Sequence, residues 1–333
     1  MEIIASIGIG GRYGNSPMRH RNSNNETLRS YLISRGLKVS EVPESADIFV
    51  ALDHTDSDQP LLEERKKLGK FSVLFRSEPR CVLPEAYKEE TEDLYDTIIS
   101  FGKPTSVERS SHWPQYWLKE EVFKKSVEHR SERIAMINAN KLNLSKLEMY
   151  TLRRMCAVEI DSIDLYGESW NSSVISKLKT LIIEILKDPI RHLSSMRIHI
   201  RYWFKNWPET IAPSSKQEIL RTYKYTLVIE NDRAYMSEKL FDALMAGCIP
   251  VYVGPSVVDY GIPRDLVVEV EPTVTSVASG IEAAKRIDFI AFQERLHSWL
   301  SLETTEQNHL GPHVIDRAIS LVYADFEKFK KLI

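Results

Sequence analysis

The residues best suited to chemistry in this chain lie in one block, residues 223–254, with the sequence YKYTLVIENDRAYMSEKLFDALMAGCIPVYVG. The pattern predicts a strand, a polar turn, a helix that begins after Ser237 and ends before Gly247, and a second, buried strand. An N-cap serine followed by Lys239 places a cation at the positive end of a helix dipole, where anions bind. The block therefore predicts a diphosphate site with Lys239 as a phosphate partner.

Four other polar residues of the block are candidates for the same site: Glu230, Asn231, Tyr235 and Glu238. The ring of Tyr235 can stack on a base, and its hydroxyl can bind a phosphate. The alternative is a strand, turn and helix whose charged residues form only a surface salt bridge. The convergence of several polar residues on one helix start favours a ligand site.

A second candidate lies in FRSEPRCVLP, where a predicted strand leads to Glu78 in a loop that contains two prolines. A carboxylate at the carboxyl end of a strand is well placed to act as a general base. The alternative, which spacing leaves equally open, is that Glu78 pairs on the surface with Arg76 and Arg80.

Further polar residues follow the strand RIAMINAN, where Asn138 and Asn140 end the strand and face the ligand side. Arg153 and Arg154 lie on the next predicted helix, residues 146–158, and one of them can reach the same side. A solvated helix face is an equally open interpretation.

The elements that position these residues form two series of alternating strands and helices, typical of open parallel sheets covered by helices. We predict an α/β protein with one domain over residues 1–130 and a second over 131–310, the second with an insertion at about 168–215. Residues 311–333 read as a separate amphipathic helix. Ligands of such sheets bind at the carboxyl ends of the strands, which places the expected site in a cleft between the domains.

The glycines of the first predicted strand, Gly8, Gly10 and Gly11, suggest a dinucleotide fingerprint, but the third glycine of that motif would fall at Tyr13. A close approach of the backbone to a ligand, or a tight turn, accounts for them better.

Composition excludes several classes of protein. The 333 residues are 43% hydrophobic and 27% charged with a net charge of −3, which argues for a globular protein and against nucleic acid as the partner. Three scattered cysteines and nine histidines without ligand spacing predict no disulfides and no structural metal.

With no signal peptide and no apolar run of roughly 20 residues, we expect a cytoplasmic protein, or one peripheral at the inner face of a membrane. The stretch MRIHIRYWFKNW can contact a glycan, an anionic lipid surface or single-stranded nucleic acid, or simply pack on its own domain.

The block YKYTLVIEN followed by Y-x-S-E-K-L-F-D-A-L-x-A-G-x-I-P-V-Y-V-G resembles the donor-domain signature of glycosyltransferase family 10, the α-1,3-fucosyltransferases. Two further features resemble the same family more weakly: the loop FRSEPR, and the order of the strand RIAMINAN, a helix with arginine and the strand IDLYG. The resemblance is strong over about thirty residues and thin elsewhere. It implies a GT-B fold of two Rossmann-like domains and inverting transfer of L-fucose from GDP-fucose to a glycan hydroxyl, with no cofactor required.

The resemblance also assigns roles. Glu78 matches the general base, and Arg153 the helix arginine that meets the diphosphate. The resemblance assigns donor binding to six residues, which are Asn138, Glu230, Asn231, Tyr235, Glu238 and Lys239. The candidates on the acceptor side are Gly10, Arg12 and Arg76.

The chain departs from the family at Asp232, which stands where serine is usual, and in a turn to Tyr235 that is about two residues shorter. The eight-residue step from Glu230 to Glu238 also matches retaining GT-B enzymes, although the rest of the block favours inversion. Two alternatives therefore remain: a related transferase with another nucleotide sugar, and a non-catalytic glycan- or surface-binding module.

Overall fold

The computed structural model describes residues 5–10, 32–40, 42, 45–100, 110–112, 129–187, 196–205, 207, 216–309 and 311–331. Contacts within the chain define two compact units. The first comprises Met1–Trp113 together with Ile315–Ile333, and the second comprises Pro114–Val314.

The first unit is built on a sheet of five parallel strands whose spatial order is the same as their order along the chain. These strands are β1 (Ile7–Gly10), β2 (Ile48–Leu52), β3 (Phe71–Arg76), β4 (Thr97–Ser100) and β5 (Ser110–His112). Two short helices accompany them, α1 (Gln59–Lys67) and α2 (Glu89–Glu92). Every residue of β2, β3 and β4 is buried, as expected for parallel strands that are covered on both faces.

The second unit contains another parallel sheet of five strands, in the order β10-β9-β8-β6-β7. Its strands are β6 (Ser131–Ile137), β7 (Ile163–Tyr166), β8 (Tyr223–Ile229), β9 (Ile249–Val253) and β10 (Val268–Glu269). From β6 the chain first adds β7 on one side and then returns to place β8 on the other. The carboxyl ends of β6 and β8 therefore form the topological switch point at which open α/β sheets bind ligands.

Helices accompany this sheet along the chain of the second unit. They are α3 (Tyr150–Glu159), α4 (Val174–Lys187), α5 (Met196–Trp203), α6 (Lys216–Leu220), α7 (Glu238–Met245), α8 (Val274–Lys285), α9 (Phe289–Leu300) and α10 (Glu303–His309). The largest apolar core joins the sheet to α3, α7, α8 and α9. Within the predicted insertion, α4 and α5 share a smaller core around Leu181 and Trp203.

The final helix, α11 (Gly311–Lys330), belongs to the first unit from Ile315 onward. The rings of Phe326 and Phe329 pack on Phe71 of β3 at centroid distances of 5.5 and 5.2 Å. The sequence suggested a separate terminal helix and a boundary at residue 130, whereas the contacts divide the chain after Trp113. The apolar stripe of this helix covers the first sheet, an association between distant segments that periodicity alone does not reveal.

The predicted α/β class with two Rossmann-like sheets is confirmed. The strand, turn, helix and strand predicted for residues 223–254 are present as β8, α7 and β9.

Candidate active site

Glu230 directly follows β8, and its side chain is fully buried. Its carboxylate accepts hydrogen bonds from the Ser237 backbone N–H at 2.9 Å and from the Ser237 hydroxyl at 2.5 Å. Burial raises the pKa of Glu230, while the Lys239 ammonium, 3.8 Å from Oε2, acts in the opposite direction. We call Glu230 and Ser237 the Glu230 clamp. It fixes the two ends of the 231–237 turn, so Glu230 shapes the site rather than presenting its carboxylate to a ligand.

Close packing holds the Glu230 carboxylate in place from the side of β9. A Cβ atom added at Gly254 would lie 2.3 Å from the Tyr252 hydroxyl oxygen and 2.9 Å from Cγ of Glu230. Contacts this short do not occur in folded proteins. Gly254 is therefore required for the buried contact between Tyr252 and Glu230, in which burial and the nearby carboxylate raise the pKa of Tyr252.

Ser237 also links the clamp to the helix that follows. Its side chain is the N-cap of α7 and accepts a hydrogen bond from the Lys239 N–H at 3.4 Å. The Lys239 ammonium donates to the same oxygen at 2.8 Å. Since the Ser237 hydroxyl donates to Glu230, one chain of hydrogen bonds runs from Glu230 to Lys239. It holds the ammonium at the positive end of α7, where an anion is stabilised.

A second cation, Lys216 at the start of α6, joins this cluster. Its ammonium lies 3.2 Å from Glu238 and 3.6 Å from Asp242. Burial acts to raise the pKa of Glu238, but Lys239 and Lys216 prevail and lower it to about 2. Glu238 is therefore ionised at neutral pH.

A recess at the switch point is lined by Asn138, Lys216, Lys239 and Asp242, together with apolar residues of β6, β8 and α6. Asn138 follows β6, and its buried side-chain oxygen has no hydrogen-bond partner in the part of the chain that the structure describes. A Cβ atom at Gly167 would lie 2.1 Å from the Asn138 carbonyl oxygen, so the end of β7 can approach this residue only as glycine. The recess thus combines two cations with a polar group whose oxygen has no partner among the described residues.

Arg153 of α3 is buried behind the end of β8. Its guanidinium donates to the Ile229 carbonyl oxygen at 2.6 and 3.1 Å and to the Asn231 side chain at 2.9 Å. These hydrogen bonds hold the end of β8, and a contact of Arg153 with a diphosphate stays a prediction. Arg154 is buried as well, which excludes a solvated helix face for this pair.

The turn after β8 is ordered by its own polar residues. The Asp232 carboxylate accepts a hydrogen bond from the Ala234 N–H at 2.9 Å, which stabilises a tight turn. Tyr235 is buried at the end of this turn. The short turn noted in the sequence is therefore a closed structure, and the Tyr235 ring is covered instead of standing ready to stack on a base.

In the first unit, the loop that carries Glu78 is held by a buried aspartate. Asp53 directly follows β2, and its carboxylate accepts from the N–H of Ser77 at 2.6 Å, the N–H of Glu78 at 3.1 Å and the Ser77 hydroxyl. Burial, together with the nearby Glu78 carboxylate, raises the pKa of Asp53 to about 6. We call Asp53 and Ser77 the Asp53 clamp. It places Glu78, which is partly exposed, at the carboxyl end of β3.

Arg76 does not pair with Glu78. Its buried guanidinium donates to the Ala86 carbonyl oxygen and to Glu92, both at 2.6 Å, and it stacks on the Tyr87 ring. Arg76 is therefore a structural residue of its own unit and not a residue that meets an acceptor.

Of the two remaining candidates on the predicted acceptor side, Gly10 is the last residue of β1 and Arg12 lies outside the described residues.

Sequence reasoning missed Asp53 and Lys216. Asp53 was detectable, since it follows a buried strand just as Glu78 follows β3. Lys216 begins a five-residue helix and gave no comparable signal.

Among the described residues, no group of three or more His, Cys, Asp or Glu side chains is arranged to hold a metal ion, and no helix is long and apolar enough to cross a membrane.

The two Rossmann-like units define the class: this is the GT-B fold of glycosyltransferases. The crystal structure of an α1,3-fucosyltransferase matches with a TM-score of 0.55 and 14% identity, covering 97% of this chain and 90% of that one. A complex of α1,3-fucosyltransferase with GDP-fucose matches with a TM-score of 0.53 and 12% identity, covering 97% of this chain and 90% of that one. Anabaena HepE in complex with UDP and glucose matches with a TM-score of 0.55 and 9% identity, covering 96% of this chain and 99% of that one. At these identities the likeness establishes the fold.

Among curated proteins, GDP-fucose protein O-fucosyltransferase 3 of Gallus gallus is 27% identical over 180 residues, which is 49% of this chain. The match spans 32% of the length of that relative. No family model matches the chain.

Proposed function

We propose that the protein is a fucosyltransferase of the family 10 type, which transfers L-fucose from GDP-fucose to a hydroxyl of a glycan with inversion. The observation that carries the proposal is the Lys239 ammonium, held by the Glu230 clamp at the start of α7 beside the switch point. The partial match to an O-fucosyltransferase and the fold of the α1,3-fucosyltransferases support fucose as the donor sugar.

The proposed reaction is a single displacement. The acceptor oxygen bonds to C1 of fucose as the bond from C1 to the β-phosphate oxygen breaks, and GDP leaves with the electron pair. Lys239, with Lys216 behind it, stabilises the negative charge that develops on the diphosphate, as does the positive end of α7. Glu238, ionised and half-buried, is proposed to accept hydroxyl groups of the ribose or the sugar.

Glu78 is proposed to take the proton of the acceptor hydroxyl. A general base needs a fixed position and an ionised carboxylate. The Asp53 clamp meets the first requirement, since two of its hydrogen bonds come from the backbone N–H groups of residues 77 and 78. Asp53 itself acts through Glu78 as a positioning residue.

The burial of Glu230 bears on the choice between inversion and retention. In the pattern of retaining enzymes, two glutamates eight residues apart both serve the donor. Here Glu230 is fully buried and engaged with Ser237, so Glu238 alone of the pair has an exposed part. The proposal of inversion rests on this difference.

The finer biological assignments are also proposals. We place the protein in the cytoplasm and its acceptor in bacterial-type surface polysaccharide or lipopolysaccharide synthesis, with no cofactor beyond the GDP-sugar.

Isothermal titration with GDP, GDP-fucose, UDP and CMP tests the donor assignment. We expect GDP and GDP-fucose to bind, and Lys239→Ala to weaken both by about tenfold or more, the equivalent of roughly 1.4 kcal/mol for one charge-assisted contact. Lys285→Ala is the matched control, since Lys285 forms only a surface ion pair on α8 of the same unit.

Three outcomes separate the alternatives. Preference for UDP would indicate a transferase with another sugar, as in the HepE complex with UDP and glucose. Binding of no nucleotide, or an unchanged affinity in Lys239→Ala, would contradict the proposal and leave a glycan-binding module. Donor binding with a product that keeps the donor's anomeric configuration at C1, measured by NMR, would show retention and contradict inversion alone.

A further inference from the structure

Among the described residues, α4 carries more large exposed apolar side chains than any other helix, and they form its outer face. Its side chains are between 45% and 73% exposed, and they are Val174, Ile175, Leu178, Ile182, Ile183 and Leu186. At 100° per residue these positions cover about half of the helix circumference. Scattered exposed apolar residues are normal, but a continuous stripe of this kind marks a surface that another phase or molecule covers.

The side of α4 that adjoins this stripe, beside Val174, accounts for its attachment to the unit. Leu181 and Ile185 pack with Trp203 and its neighbours, and the Lys177 ammonium donates to the Lys205 carbonyl oxygen at 2.8 Å. The single carboxylate of the helix, Glu184, is half-buried on this inner side. The helix is therefore anchored by one face, and its outer apolar face is not needed for the packing that the structure shows.

Charge indicates what covers the outer face. Lys179 is exposed among the apolar side chains, and the outer face has no acidic residue, in a chain whose net charge is −3. A lysine in such a position can lay its methylene stem along an apolar surface and direct its ammonium to an anion. An amphipathic helix whose apolar face also carries a basic side chain suits a position in the headgroup region of a bilayer.

A second copy of this face is a poorer fit. Two such faces packed together would bury Lys179 against apolar side chains without a carboxylate to pair with it. An unpaired buried ammonium is strongly unfavourable. The helix has 14 residues, about 21 Å in length, too short to span a bilayer but long enough to lie along its surface.

We propose that α4 is a membrane-surface contact, in which its outer face inserts into the headgroup region of a bilayer that contains anionic phospholipid and Lys179 binds a lipid phosphate. The basic and aromatic stretch of α5, which suggested such a contact in the sequence, is instead turned inward at its aromatic end. The Trp203 indole donates to the Lys177 carbonyl oxygen at 3.0 Å, and the Tyr202 hydroxyl donates to Glu159 at 2.8 Å.

Flotation of the full chain with vesicles tests the proposal without any sugar nucleotide, so its result is independent of the proposed reaction. We expect binding to vesicles of phosphatidylcholine mixed with phosphatidylglycerol, and at least about tenfold weaker binding to phosphatidylcholine alone. The double variant Ile182→Glu, Leu186→Glu is expected to lose binding by about a hundredfold, because two large apolar side chains no longer enter the lipid. Lys179→Ala is expected to lose about fivefold, the contribution of one basic residue near an anionic surface.

The matched control is Ile290→Glu, since Ile290 is 66% exposed on α9 of the same unit but stands outside the stripe. It is expected to bind like the unmodified protein, and circular dichroism melting confirms that each variant is folded. No vesicle binding by the unmodified protein would overturn the proposal. So would equal loss in Ile290→Glu, or sedimentation that shows a dimer abolished by the double variant in the absence of lipid.

Discussion

The loop after β3 in the first unit and the loop after β8 in the second are held by the same kind of contact. In each, a fully buried carboxylate accepts hydrogen bonds from both the N–H and the hydroxyl of one serine: Asp53 from Ser77, and Glu230 from Ser237. In each, a glutamate follows the serine. The Asp53 clamp thereby places the proposed base, and the Glu230 clamp places the start of α7 with its lysine.

The clamps differ in their surrounding charges. Lys239 lies 3.8 Å from the Glu230 carboxylate and lowers its pKa against the effect of burial. The charge that acts on Asp53 is the negative one of Glu78, which adds to the effect of burial and raises the pKa of Asp53 to about 6. The Glu230 clamp is thus part of a cluster that includes cations, as suits an anion site. Asp53 of the Asp53 clamp therefore titrates close to neutral pH.

The largest effect is expected from Glu78→Gln, which removes the proposed base without altering the clamp beneath it. We expect kcat to fall by about 10²- to 10⁴-fold, the usual contribution of a general base, with the affinity for GDP unchanged. Steady-state kinetics and titration of GDP measure the two quantities, and Glu90→Gln on the same unit serves as control. A loss of GDP affinity would show that Glu78 also contributes to donor binding, contrary to the proposed roles of the two loops.

Gly254→Ala is expected to break the Glu230 clamp by crowding. The new methyl group would meet the Tyr252 hydroxyl and Glu230, so we expect a loss of about 1–3 kcal/mol in the free energy of unfolding and weaker GDP binding. Gly36→Ala is an informative control, because Gly36 has φ of +75° with no atom within 4 Å of a Cβ. It should destabilise the first unit through backbone strain alone and leave GDP affinity intact.

Asp53→Asn tests the pH dependence of the Asp53 clamp. An exposed aspartate has a pKa of about 3.9, so between that value and about 6 the folded protein holds a proton on Asp53 more firmly than the unfolded chain does. The stability of the unmodified protein should therefore fall as pH rises through this window, by up to about 3 kcal/mol relative to Asp53→Asn. Urea unfolding at a series of pH values measures the difference. Asp93→Asn, an exposed position, should follow the unmodified protein, and parallel curves for Asp53→Asn would show that Asp53 is not perturbed.

The smallest and most specific effects come from the paired variants Ser77→Ala and Ser237→Ala. Each removes one hydroxyl, for a loss of about 1 kcal/mol in stability. We expect Ser237→Ala to weaken GDP binding several-fold with kcat little changed, since Lys239 loses its partner. Ser77→Ala should lower kcat several-fold and leave GDP binding unchanged. Steady-state kinetics and GDP titration of both variants test this expectation. The reverse pattern, or identical effects in the two variants, would contradict separate roles of the Asp53 clamp in catalysis and the Glu230 clamp in donor binding.

Local signals predicted much of this molecule correctly. The Ser237 N-cap, the end of α7 before Gly247 and the buried strands on either side depend on residues close together in sequence, and all are present. The α/β class followed from the alternation of strands and helices for the same reason. The burial of single long side chains was not predicted, as Arg153, Arg76 and Tyr235 show.

The sequence alone determined the fold class, the helix start that carries Lys239 and the position of Glu78 after a buried strand, because periodicity, capping and strand ends are local properties. Only the tertiary structure decided that Glu230 and Asp53 are buried clamps, that Arg153 holds the end of β8, and that α4 turns one apolar face outward. Those facts depend on which distant groups meet and on the cost of burying charge, and a buried carboxylate or arginine is tolerated only where partners from elsewhere in the chain satisfy it.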